Sequence, residues 1–216
     1  GYHSAASWFI LAEVLRRLDG RPVETILRQD VFEPLGMLDS WLAMPPDRFH
    51  DYGDRIGRLY DTSGPAPKVL PIEDDEPGCT IPRPGSSGRG PVRELGLFYE
   101  ALLDGRILKP ETVAWMTSPH RQGMFDHTFK RVVDWGLGFL LNTHGYEEGF
   151  AYSFGPHASS RAFGHGGHQS AISFADPEHG LVVAAVFNGM PGERRHARRN
   201  AAFCAAVYED LGLADN

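Results

Sequence analysis

The richest chemistry in these 216 residues lies in Phe163-Gly164-His165-Gly166-Gly167-His168-Gln169-Ser170. Glycines at a strand start let a second backbone come close, so a substrate lying along the strand edge is one reading. His165 would then project into a cleft, and an N–H just after the glycines would face a substrate carbonyl. A tight glycine turn carrying two surface histidines explains the same residues and stands as the alternative. A metal site is the third reading, and spacing speaks against it. His165 and His168, three apart on a strand, would face opposite sides, and neither HExxH nor a carboxylate at metal spacing is present. Neither metal nor cofactor is expected.

Other candidates are thinner. Gly85, Gly88 and Gly90 have the wrong order for a phosphate loop, with no preceding strand and no following lysine. Arg194, Arg195, Arg198 and Arg199 share a helical face, which predicts a solvated basic patch. A search for a nucleophile is negative. No G-x-S-x-G elbow occurs, and the residues three before Lys68, Lys109 and Lys130 are Pro65, Arg106 and His127, so no S-x-x-K occurs either. Cys79 and Cys204 are too few and too far apart for a disulfide framework or a zinc site, and neither sits beside a histidine as a thiol enzyme would require. Both read as free thiols, Cys204 on a buried helix face.

The elements that must position these residues follow from periodicity. Ser4 as N-cap and the apolar run Ala5–Leu18 predict a helix buried on several sides, ended by Gly20 in a left-handed conformation. Pro22 opens a second helix through Val31, with Val23, Ile26, Leu27 and Val31 inward, and Pro34-Leu35-Gly36-Met37 turns the chain. Pro45–Gly90 is rich in proline and glycine and holds the acidic run Glu73–Glu76; it reads as an irregular insert, a lid or substrate wall, with short strands at Arg55–Tyr60 and Lys68–Ile72. Pro91–Leu103 and Pro110–Met116 read as helices, the first with Leu95, Phe98, Leu102 and Leu103 inward. Trp135–Asn142, Gln169–Ala175 and Leu181–Asn188 read as strands, the last two an antiparallel hairpin across Asp176-Pro177-Glu178-His179-Gly180. A closing helix from Arg194 to Leu211 should present Ala202, Ala206, Val207 and Leu211 to the sheet. The sum is an α+β architecture: a helical lobe, an antiparallel sheet and a C-terminal helix.

Bulk properties exclude several classes. The composition is ordinary for a globular chain, with 42% hydrophobic and 23% charged residues. Net charge is −7, from 21 Lys+Arg against 28 Asp+Glu, so no basic field invites nucleic acid. No apolar run approaches the ~20 residues of a membrane span. The chain opens at Gly1-Tyr2 without Met and enters a helix almost at once, which predicts a truncated domain. Its lack of a leader is then uninformative about compartment, and cytoplasm is the default expectation.

Taken in order, four segments resemble the serine β-lactamase-related family, in particular class C enzymes and their penicillin-binding-protein-like esterase relatives. Tyr2-His3-Ser4 followed by a helix and Pro34-Leu35-Gly36-Met37 resembles the Y-x-[NS] motif and its PLGM turn. Gly88–Gly105 with Arg106–Met116 resembles the helix and loop that follow. Phe163–Asn188 resembles the strand bearing the K-T-G motif, written H-x-G in esterase members. The resemblance spans nearly the whole chain outside the insert. It implies a β-lactamase/transpeptidase-like fold, incomplete at the N-terminus. Residues 1–44 and 91–118 would form the helical lobe, 45–90 the insert, and 135–213 the sheet and last helix of one catalytic domain.

The resemblance also implies roles. A serine of S-x-x-K attacks an acyl carbon to give an acyl-enzyme. Tyr2 matches the tyrosine that exchanges protons with it, and a phenol near ~10 does so only beside a cation. Ser4 matches a substrate hydrogen-bond donor. His165 stands where K-T-G has lysine, replacing a permanent cation with a mostly neutral group, which favours uncharged esters over carboxylate-bearing β-lactams. Gly166 and Gly167 complete the motif, and His168 matches the residue whose N–H completes the oxyanion hole. The expected function is ester hydrolysis by the full-length protein; β-lactamase or D-amino-acid peptidase activity, or non-catalytic ligand binding, are the alternatives. The expected partner is a small ester or β-lactam-like molecule, together with a missing N-terminal segment in cis or trans. Without that segment the chain should be inactive and poorly stable.

Overall fold

A computed structural model describes residues 1–70, 74–143 and 149–214. The helices are α1 (Ala6–Asp19), α2 (Val23–Leu27, continuing through a π-helical turn over Arg28–Phe32), α3 (Pro46–Tyr52), α4 (Glu76–Thr80), α5 (Val92–Leu103), α6 (Pro110–Met116) and α7 (Glu193–Asp210). The strands are β1 (Tyr60–Asp61), β2 (Lys68–Val69), β3 (Phe125–Asp126), β4 (Arg131–Val132), β5 (Asp134–Trp135), β6 (Leu140–Leu141), β7 (Phe163–Gly166), β8 (Ala171–Asp176), β9 (Leu181–Val186) and β10 (Gly189–Met190). The main sheet runs antiparallel in the order β5-β6-β7-β8-β9. This is the α+β arrangement the sequence predicts.

Helix α5 lies on β8 and β9, where Tyr99, Leu102, Phe139, Leu141, Phe163 and Ala175 form one core. A second core centres on Phe154, Ile172, Phe174, Cys204 and Tyr208, between the sheet and α7. Leu35 and Met37 are buried beside Ala101, with Gly36 at φ +70° allowing the turn between them. Burying such side chains contributes about 1.5–3 kcal/mol each before chain entropy is charged against it.

Several expectations need correction. Trp135–Asn142 is a tight hairpin, β5–β6, because Gly136 packs on the Met116 carbonyl and Gly138 takes φ +82°. A separate strand, β7, begins at Phe163, and residues 167–170 are the turn into β8. The inner face of α7 is His196, Ala197, Asn200, Cys204 and Tyr208, while Ala202, Ala206 and Leu211 are exposed. Counting alanines as inward misplaced the register; the buried polar groups are each bonded, as Asn200 is to the Ser153 carbonyl and Tyr208 to Asp176. Arg199 is not solvated with its neighbours but turned inward.

Ser4 does not cap α1: the N-cap position is Ala5, and Nδ1 of His3 just upstream accepts from the N–H groups of Ala5 and Ala6, at 3.2 and 3.1 Å. Helix α1 is also uncovered. It has no buried residue, and Phe9, Ile10, Leu11, Val14, Leu15 and Leu18 are 37–81% exposed. The insert is more ordered than its composition suggests. It holds α3, α4 and the β1–β2 hairpin, and β1 pairs in parallel with β10 beside the main sheet. Of its expected features, Ile72 and Glu73 lie outside the described residues.

Candidate active site

Tyr2 is anchored by its backbone. Its N–H donates to Asp126 Oδ2 at 2.8 Å and its carbonyl accepts from the Thr128 hydroxyl at 2.7 Å. Asp126 is fully buried; it also accepts from Arg121 Nη1 at 2.7 Å and from the N–H groups of Thr128 and Phe129. Burial works against its ionisation, but Arg121 and these donors outweigh it and hold the carboxyl at about 2. The β3–β4 hairpin thus carries a buried anion whose task is to fix the start of the chain.

The Tyr2 ring lies flat on Trp135, centroids 4.9 Å apart and planes 2° from parallel, and stacks on Phe129 at 5.6 Å. His165 closes the cluster, 5.5 Å from Tyr2 and 5.7 Å from Trp135. The two residues expected to carry catalysis, separated by most of the sequence, therefore sit side by side. The Tyr2 phenol is pushed above its ordinary value by burial, partly offset by a hydrogen bond from Trp8. Unaided, it is a proton donor at neutral pH.

His165 lies on β7 with its Nδ1 2.8 Å from the Gly166 carbonyl, which can only accept. Nδ1 therefore bears the proton, and Nε2, buried and with no partner among the described residues, presents a lone pair. Burial lowers the imidazole pKa and the Gly166 carbonyl opposes this, leaving a neutral ring. Among the described residues, strand β7 pairs with β6 only through Phe163 and Gly164. Its other edge pairs with β8 as far as Gly166↔Ile172.

The glycines have packing reasons of their own. A Cβ on Gly164 would fall 2.2 Å from the Ser173 carbonyl, and one on Gly166 would fall 2.4 Å from the Tyr152 ring. Gly167 is looser, its nearest neighbour 3.3 Å away. His168 is in the turn with its side chain exposed, and among the described residues nothing accepts from its N–H. Ser4 is exposed, and its carbonyl packs on Gly85, where a side chain would leave 2.1 Å. The loop from Gly85 thus abuts the Tyr2–Ser4 segment and Trp8. A cavity of about 480 Å³ opens between the insert and the ends of the β8–β9 hairpin, lined by Tyr52, Arg55, Ile56, Arg89, Ser170 and Val186 among others; Tyr2 and His165 are not in its wall. Among the described residues no cluster of three or more His, Cys, Asp or Glu could hold a metal ion, and no helix is long and apolar enough to cross a membrane.

Trp8, Asp126, Thr128, Phe129 and Trp135 were not singled out as site residues from sequence. Asp126 touches Tyr2 across 124 positions, and no local pattern carries that information.

Known proteins share this fold. The curated esterase/beta-lactamase LipL of Mycobacterium tuberculosis is 22% identical, over 87% of this chain and 48% of its own length. A penicillin-binding-protein homologue from Caulobacter crescentus is 27% identical, with a TM-score of 0.68 over 94% of this chain and 58% of that one. EstA from Arthrobacter nitroguajacolicus has the same fold, at 20% identity and a TM-score of 0.76, over 98% of this chain and 60% of that one. The chain spans about half to three-fifths of these relatives. The family model Beta-lactamase matches residues 1–206, and the chain belongs to the beta-lactamase family.

Proposed function

We propose that this chain supplies the tyrosine, the histidine and one oxyanion donor of a serine hydrolase acting on uncharged carboxylic esters. The observation that carries this is the contact of Tyr2 with a neutral His165 whose Nε2 has no partner among the described residues, on a strand that pairs with β6 through Phe163 and Gly164 and then runs to the His168 N–H. A serine outside these 216 residues attacks the ester carbonyl, because no S-x-x-K lies within them. Tyr2, held as phenolate by the lysine of that motif, takes the serine proton and passes it to the departing alcohol. The carbonyl oxygen turns anionic against the His168 N–H, and a donor of this kind is worth ~2.7–4 kcal/mol in the transition state. Water then resolves the acyl-enzyme by the reverse path. A neutral His165 gives no cation to a substrate carboxylate, which favours esters over anionic β-lactams. The cavity beside Ser170 serves as the wall against which the substrate is held. The uncovered face of α1 is where the segment bearing the nucleophile packs, in cis or in trans, and the 216 residues alone are inactive.

The test is hydrolysis of p-nitrophenyl acetate and butyrate by the complete gene product, with nitrocefin and a D-amino-acid amide as comparators. Ester turnover should dominate and fall by roughly 10² or more in Tyr2→Phe. Faster turnover of nitrocefin or of the amide would replace ester by β-lactam or peptide chemistry. A folded protein inactive on all of them would make the chain a binding relative.

A further inference from the structure

The turn that offers the His168 N–H is held in place by residues that the reaction described above does not use. Its tip, Gln169, takes φ +49°, a left-handed conformation that residues other than glycine rarely adopt. Three contacts fix it. Arg199 Nη2 on α7 donates to the Gln169 carbonyl at 2.9 Å; the Gln169 side-chain oxygen accepts from the Gly192 N–H at 2.8 Å; its side-chain nitrogen donates to Glu193 at 3.0 Å. Arg199 also donates through Nη1 to the Gly189 carbonyl at 2.9 Å, and its guanidinium lies 4.2 Å above the Phe187 ring. Phe187 in turn donates its N–H to the Ser170 carbonyl at 2.6 Å. One half-buried cation therefore ties the β7–β8 turn, the end of β9 and the start of α7 into a single unit. Its partners are the Gln169 and Gly189 carbonyls and, 3.1 Å from Nη2, Nδ1 of His196 on the same helix, with no carboxylate among them, so the position of its guanidinium follows those two carbonyls.

We propose that Arg199, acting with Gln169, is the positioning residue that fixes the oxyanion N–H of His168. Its catalytic meaning rests on the ester-hydrolase reading, whereas the clamp on the turn does not. Neither side chain touches substrate. They hold the turn just C-terminal to the donor, at the Gln169 carbonyl and side chain, and a donor displaced by a fraction of an ångström loses much of its effect on the transition state.

The experiment compares wild-type complete gene product with Arg199→Lys, Arg199→Met and Gln169→Ala, using two readouts. Amide hydrogen exchange of Gly167 and Ser170, which bond across the turn, should quicken about tenfold or more in Arg199→Met while the β8–β9 amides stay protected. Hydrolysis of p-nitrophenyl butyrate, normalised to sites titrated by a phosphonate, should show kcat lowered roughly 10–100-fold with KM within about twofold. Arg199→Lys and Gln169→Ala, each keeping part of the clamp, should fall between and cover the case in which Arg199→Met does not fold. Unchanged exchange overturns the clamp. Faster exchange with unchanged kcat per titrated site overturns its catalytic role. Faster exchange in a protein whose wild type hydrolyses nothing sinks the ester-hydrolase reading and leaves the clamp standing.

Discussion

Replacing Asp126 by asparagine tests how the site is anchored. The two carboxylate oxygens divide the work: Oδ1 accepts from Thr128 and Phe129, and Oδ2 accepts from the Tyr2 N–H at 2.8 Å and from Arg121 at 2.7 Å. Asparagine can keep the first pair, but it then sets an NH₂ against two donors. Losing two charge-assisted bonds at a fully buried position costs about 3–5 kcal/mol. For a domain of this size that is a fall in Tm on the order of 10 °C. The acid limb provides a second check. The folded carboxyl sits at about 2, against an ordinary value of 3.8. Because the folded value is the lower one, the stabilisation is complete above pH ~4 and disappears as pH falls toward ~2. Its size is about 2 kcal/mol at most, less what solvent screening removes. Thermal scans of the complete gene product from pH 7 to pH 2 should show a large deficit for Asp126→Asn that narrows below pH ~4. A variant within ~2 °C of wild type at pH 7, or a deficit that stays constant into acid, would refute the anchoring role.

Three further outcomes follow from the same geometry. Gly164→Ala forces a Cβ against the Ser173 carbonyl and should destabilise by about 2–3 kcal/mol or more in urea titration, whereas Gly57→Ala, with open space around it, should be near neutral. His165 has its pKa lowered by burial, so the stability it contributes is present above its unfolded value near 6.5 and is lost as pH falls below that. Ester kcat/KM should likewise rise through an apparent pKa below 6.5 and stay level to pH 8, with the acidic limb absent in His165→Gln. His3→Ala removes the acceptor for two α1 N–H groups and should cost about 1 kcal/mol, measured as a drop in urea midpoint at unchanged slope.

What could be read from sequence divides along physical lines. The β8–β9 hairpin and α6 were legible because turn composition, proline position and apolar pattern agree locally. The burial of α1 was not legible within this chain: an all-round apolar helix predicts cover, and the described residues leave Phe9, Ile10, Leu11, Val14, Leu15 and Leu18 exposed. The face of α7 was misassigned because alanine satisfies either environment, while Asn200 and Tyr208 are buried through bonds to distant partners and His196 beside the Arg199 guanidinium. Tyr2 and His165 carry no local signal of catalysis and emerged only through the ordered motifs. Their support, from Asp126 to Tyr2 and from Arg199 to Gln169, runs between residues 124 and 30 positions apart, where periodicity has nothing to say.

The central claim is a shared catalytic centre whose nucleophile lies outside these residues, and a covalent adduct tests it most directly. The complete gene product would be mixed with p-nitrophenyl butyrate, quenched in acid, and its intact mass and peptides measured. One butyryl group on a serine followed three residues later by lysine, outside the 216 residues and absent when they are treated alone, is the predicted result. An adduct on a serine within these residues, or none in a folded protein that hydrolyses the ester, would contradict the account.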